Sequence, residues 1–177
     1  GYVDPAFSQI ADELARMIPG DGRSGAAVSV YHKGRCVVDT WSGHRDGDGN
    51  PWEQDTLALS FSTTKGVAST LLHVLADQGL IEYNRPVSHY WPEFHQNGKS
   101  SVTVAHLLTH QAGLYDIRSL IDDASRMTDW EYMTTQLAAA RPSHRPGVMH
   151  GYHGLTYGWL LGELIERVTG QSFSQVL

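Results

Sequence analysis

Leu57-Ala58-Leu59-Ser60-Phe61-Ser62-Thr63-Thr64-Lys65-Gly66-Val67 is the stretch whose reading decides the fold. An apolar lead-in reaches Ser62, and Val67, Leu71, Leu72, Val74 and Leu75 then recur at helical spacing. The pattern predicts a helix opening at Ser62. Three residues is nearly one turn, so Lys65 falls on the same face as Ser62, one turn further in. In a buried helix start, the positive end of the dipole and desolvation both favour a neutral lysine amine. Such an amine can take or relay the proton that a serine must lose to become a nucleophile. Spacing alone decides little: 15 Ser and 3 Lys supply about 0.25 chance matches in a chain of this length. A serine here is also a good N-cap, and a first-turn lysine is ordinarily solvated.

Composition narrows the classes. The 177 residues suffice for one sizeable core or part of a larger one, and 41% hydrophobic with 18% charged content is that of an ordinary globular chain. A net charge of −6 without a Lys/Arg run argues against nucleic-acid binding. No apolar stretch is long enough for a bilayer, and Gly1-Tyr2-Val3-Asp4-Pro5 lacks the basic and apolar regions of a signal peptide. Cys36 has no internal partner and is expected to pack as a small hydrophobe in a strand. These features together lead to the expectation of a reducing, cytoplasmic setting.

Along the chain, Pro5 to Met17 reads as an amphipathic helix ended by Pro19-Gly20-Asp21-Gly22. Strands follow at Gly25 to Tyr31 and Arg35 to Trp41, joined by a His32-Lys33-Gly34 turn. His44 to Glu53 reads as a loop. Helices are expected after Ser62, at Pro86 to Phe94, at Thr103 to Thr109, at Asp129 to Ala140 and at Thr156 to Val168. Ser172 caps a further start carrying Phe173, Val176 and Leu177. Two strands make a marginal hairpin, and nothing after Trp41 reads as another. The expectation is therefore an α/β (α+β) fold of which 1–55 holds the first helix and hairpin and 56–177 the nucleophile helix and a helical subdomain. The remainder of the fold is expected to be lost, disordered or supplied as a separate polypeptide. Alone, the chain is expected to be poorly soluble or unfolded.

Three more stretches line up with Ser62-Thr63-Thr64-Lys65. They are Leu107-Leu108-Thr109-His110-Gln111-Ala112-Gly113-Leu114, then Pro146-Gly147 followed by Gly151-Tyr152-His153-Gly154, and Tyr157-Gly158-Trp159-Leu160-Leu161-Gly162-Glu163-Leu164-Ile165. In set and order they resemble the serine β-lactamase/penicillin-binding-protein superfamily, and within it the class C-related family VIII carboxylesterases, or EstB-like serine hydrolases. Phe61 to Gly66 and Tyr90-Trp91-Pro92-Glu93-Phe94 look typical of that esterase branch. The resemblance covers the N-terminal half of such a protein. It implies a β-lactamase/DD-peptidase-like fold with an antiparallel sheet flanked by helices. It also implies a Ser62 acyl-enzyme on small carboxylic esters, activation by Lys65 and Tyr152, the Ser62 backbone N–H as first oxyanion donor, substrate contacts at His153 and Gly154, and no cofactor.

Gly154 departs from the pattern, because class C β-lactamases usually carry asparagine there, two residues after the tyrosine. The departure leans towards esters over lactams or peptides. The third family motif and the second oxyanion donor belong to the missing C-terminal half, so activity is expected only when that half completes the site. β-Lactamase or D-amino peptidase activity is the runner-up, and a non-catalytic binding or scaffold role is the alternative of another class. His106 and His110 share a helical spacing that could suit zinc, but no glutamate follows His106 and no third ligand is apparent. No Gly-x-Ser-x-Gly elbow is present. His110 is expected to tie the Gln111-Ala112-Gly113 turn, Tyr90, Trp91 and Phe94 to be core, and Asp122 and Asp123 to be a solvated face.

Overall fold

The computed structural model describes every residue from Gly1 to Leu177. The chain divides into two units, Gly1–Leu59 and Ser60–Leu177. The fold is α+β, with a small antiparallel sheet and one helix in the first unit and further helices in the second.

The first unit is built on a hairpin of β2 (Gly25–His32) and β3 (Arg35–Gly43). Lys33 and Gly34 both have positive φ, 48° and 76°, so the turn is a two-residue one between His32 and Arg35, shorter than the three-residue turn expected. Alternation along β2 half-buries Ala26, Val28 and Val30 and exposes Ala27, Ser29 and Tyr31. Tyr2–Val3 adds a strand, β1, antiparallel to β3, so the sheet order is β1-β3-β2. This corrects the two-strand reading. A two-residue strand has no periodicity to betray it, and it exists because Val3 lies opposite the fully buried Val38. Helix α1 (Ser8–Met17), preceded by a 3-10 turn at Pro5–Phe7, packs on β3. Cys36 is free and half-buried on β3.

The second unit has a single apolar core. Helix α5 (Thr156–Thr169) runs through it, with Leu160, Leu161, Leu164 and Ile165 fully buried. Helix α2 (Thr64–Asp77) lies against α5 and contributes Ala68, Leu72 and Leu75. Each buried leucine stabilises the unit by about 1.5–3 kcal/mol relative to exposure. The expected Pro86–Phe94 helix is instead two 3-10 turns, Val87–His89 and Pro92–His95, because Pro92 restarts the chain. Trp91 and Phe94 are buried there, and Tyr90 is half-buried. Helix α3 (Val104–Leu108) opens on a capping box in which Thr103 and His106 satisfy each other's backbone N–H. Helix α4 (Trp130–Ala139) is capped by Asp129. Asp123 caps a 3-10 turn at Ala124–Thr128. Lys99 is fully buried, donating to the carbonyls of Gln96 and Ala140, and burial lowers its ammonium to about 8. Helix α6 (Phe173–Val176) follows a Ser172–Gln175 capping box. No helix is long and apolar enough to cross a membrane.

Candidate active site

Ser62 lies in a 3-10 turn, Phe61–Thr63, that feeds directly into α2. Phe61 has φ of 45°, a left-handed conformation disfavoured for a bulky residue. That strained backbone immediately precedes Ser62, and strain of this kind clusters at functional sites. At such a turn the first backbone N–H groups have no partner within the helix, so the Ser62 N–H is suited to receive an oxyanion.

Two side chains converge on Ser62. Lys65 Nζ donates to Ser62 Oγ at 3.1 Å, and Tyr152 Oη donates to the same oxygen at 2.7 Å. Lys65 Nζ also donates to the Gly154 carbonyl at 2.7 Å and lies 5.0 Å from the centre of the Tyr152 ring. Burial of the Ser62 turn, the condition for a desolvated lysine, is not met. Ser62 is exposed, Lys65 half-buried and Tyr152 53% exposed, so Lys65 acts here as a hydrogen-bond donor held between α2 and the loop before α5. The Tyr152 phenol is held below its ordinary value of 10, chiefly because its ionised form would accept from Ser62, with the Lys65 ammonium as a further cause.

The two other expected site residues have different tasks. His153 is fully buried: Nδ1 donates to the Gly151 carbonyl at 2.8 Å and Nε2 accepts from Leu114 N–H at 3.0 Å. Both ring nitrogens are used, so the expected substrate contact from His153 is corrected to an internal brace. Burial lowers its imidazole to about 4, against a smaller opposing effect of the Gly151 carbonyl. Gly154 contributes its backbone, with its carbonyl anchoring Lys65. No local signal in the sequence marks that carbonyl. His110, expected to tie its own turn, instead accepts from His153 N–H at Nδ1, 3.1 Å away. His106 caps α3, so the two histidines serve separate structures.

Beside the triad a largely apolar cleft of ≈ 420 Å³ opens, bounded by Phe61, Lys65, Trp130, Leu155, Trp159 and Phe173. Ser62 itself lies on its wall. Ser69 extends the polar side of the site inward, donating to the Lys65 carbonyl and bonding Tyr157 Oη at 2.8 Å.

The Beta-lactamase family profile matches residues 7–177. Esterase/beta-lactamase LipL of Mycobacterium tuberculosis is 42% identical over 172 residues, which cover 97% of this chain and 39% of that protein. D-alanyl-D-alanine-carboxypeptidase/endopeptidase AmpH of Escherichia coli is 27% identical, with 98% and 47% covered. The crystal structure of a family VIII carboxylesterase superposes with a TM-score of 0.90 at 41% identity, covering 99% of this chain and 48% of the other. The chain spans about half or less of the length of these relatives. The profile nevertheless runs through both units, including the Ser62, Lys65 and Tyr152 constellation: the chain belongs to the beta-lactamase family.

Proposed function

We propose that the chain carries the nucleophilic part of a serine hydrolase acting on small carboxylic esters through an acyl-enzyme on Ser62. The single observation that carries this reading is the placement of Ser62 Oγ within hydrogen-bond reach of both Lys65 Nζ and Tyr152 Oη. With Tyr152 as phenolate, its bond to Ser62 reverses, and the serine proton passes to the phenol oxygen as Oγ attacks the ester carbonyl. The oxyanion of the tetrahedral intermediate accepts from the Ser62 N–H. Collapse breaks the bond to the alcohol, which leaves with the proton from Tyr152. Water then attacks the acyl-enzyme, giving a proton to the same phenolate, and the proton returns to Ser62 Oγ as the acid leaves. Lys65 keeps the phenolate accessible and holds Ser62 in line. No step calls for a cofactor.

The apolar cleft at Ser62 supports an apolar acyl or alcohol group. The greater length of the relatives supports a second oxyanion donor from outside these residues, and activity is assigned to the whole protein. The lone free cysteine supports a reducing, cytoplasmic setting. A second reading, cleavage of β-lactams or D-amino peptides, is supported by the names of LipL and AmpH. The absence of a side-chain amide at Gly154 favours esters over it.

The test is labelling of the full-length protein with a fluorophosphonate, followed by peptide mapping and parallel assays on a short-chain ester and a chromogenic cephalosporin. Labelling confined to Ser62, with ester turnover lost in Ser62→Ala, is expected. An unlabelled Ser62 together with full ester turnover in Ser62→Ala would overturn the reading, and faster cephalosporin cleavage would reverse the order of substrates.

A further inference from the structure

Tyr152 is an exposed side chain on the loop between Gly147 and α5, yet its phenol oxygen is within hydrogen-bond reach of Ser62 Oγ. Something other than the tyrosine side chain has to fix it. The backbone N–H groups of the two residues on either side of Tyr152 are both held by one residue. Gly151 N–H donates to the His110 carbonyl at 3.0 Å, and His153 N–H donates to His110 Nδ1 at 3.1 Å. The His110 ring also lies against the Tyr152 ring, with centroids 5.0 Å apart. Its other neighbours are Tyr157, stacked at 4.7 Å and 33°, and the His153 and His150 rings at 5.5 and 5.7 Å.

His110 can make both bonds because of an uncommon backbone. Its φ is 60°, in the left-handed region that non-glycine residues seldom occupy and where His and Asn are enriched. The turn follows directly on α3, with His110 N–H donating to the Leu107 carbonyl at 3.1 Å. Since a peptide N–H can only donate, Nδ1 must be the unprotonated nitrogen. Burial first, and then His150 and Lys65, keep the imidazole below its ordinary value of 6.5, which preserves that acceptor.

We propose that His110 is the positioning residue of the Tyr152 base, clamping the backbone N–H groups of its two neighbours, Gly151 and His153, and backing its ring. It rests on the reading of Tyr152 as the proton acceptor for Ser62. His110 makes no hydrogen bond to Ser62 or Lys65; its chief route to the chemistry is Tyr152. A displacement of about 1 Å in such a group costs on the order of 10²-fold in rate.

The experiment is a double-mutant cycle in the full-length protein, reading steady-state ester turnover and the rate of Ser62 phosphonylation. His110→Ala is expected to lower kcat about 100-fold with KM changed little. His110→Asn tolerates the left-handed backbone and offers Oδ1 where Nδ1 stood, and it is expected to recover turnover to within about 10-fold of wild type. In a Tyr152→Phe background His110→Ala should cost little further, because its chief route to the chemistry is gone. A full additional loss in that background, or an Asn variant no better than Ala, would show a merely structural residue and overturn the proposal. If Tyr152→Phe is impaired while His110→Ala is not, the clamp alone is refuted. If Tyr152→Phe turns over like wild type, the base assignment fails and the clamp fails with it.

Discussion

Acidification should loosen the second unit through His153 before its carboxylates are reached. In the folded chain both ring nitrogens of His153 are used, and Nε2 is an acceptor facing the Leu114 N–H. A second proton would set donor against donor in a fully buried place. The folded imidazole therefore titrates at about 4, below the 6.5 of an unfolded chain. A lowered histidine value means that the unfolded state binds the proton first. The His153 contribution is thus complete above pH 6.5, falls as pH drops below it, and is gone near pH 4. At about 1.4 kcal/mol per pH unit, that window removes up to about 3 kcal/mol. The assay is urea unfolding of the full-length protein by tryptophan fluorescence at steps from pH 8 to 4, with His153→Gln as reference. The glutamine amide can accept from Leu114 but does not titrate. It should start about 1–2 kcal/mol less stable at pH 8, for the lost bond to Gly151, and the gap should close as pH falls. Parallel curves for the two proteins across the window would refute the reasoning.

Lys65→Ala and Tyr152→Phe should each lower ester turnover by about 10²–10⁴-fold while leaving the melting temperature near wild type, since Tyr152 is exposed and Lys65 half-buried; a large fall in melting temperature would mark a structural role. Because Tyr152 must be ionised to accept the proton, kcat/KM should rise with pH through a midpoint below 10, and that limb should vanish in Tyr152→Phe. Gly151→Ala would set a Cβ 2.2 Å from the Tyr115 ring, so chemical denaturation should show a loss of about 1–3 kcal/mol together with reduced turnover. Trp159→Ala, on the wall of the apolar cleft, should lower kcat/KM roughly 10-fold more for a hexanoyl than for an acetyl ester, as expected for a few methylenes of lost contact; equal losses would remove the cleft from substrate binding.

The local parts of this fold were legible in the sequence, and the distant ones were not. The helical spacing from Val67 to Leu75 and from Thr156 to Val168 matches α2 and α5 because periodicity is a property of neighbours. The Ser62 and Lys65 contact is legible for the same reason. Strand β1 carries two residues and no pattern of its own; only Val38, far along the chain, explains it. His153 stands next to Tyr152 in sequence yet points the opposite way, into the core, and adjacency invited the wrong role. The Gly154 carbonyl is a backbone atom, invisible to any reading of residue types. Phe61 at positive φ has no compositional mark, since a bulky aromatic is the last residue a turn rule would nominate.

The bonds to Ser62 differ in how much of the chain must be folded for them to exist. Lys65 is three positions away and meets Ser62 in any copy of the α2 turn, while Tyr152 is ninety positions away. The second contact closes a loop containing most of the second unit, and it is made by an exposed segment. Partial opening of that segment leaves the helix intact but removes Tyr152, the proposed base, and the Gly154 anchor of Lys65. Turnover is then a gauge of local opening, fading under mild denaturant while helical ellipticity is still native. Protection of the Gly151 and His153 amides from hydrogen exchange should fade along with it.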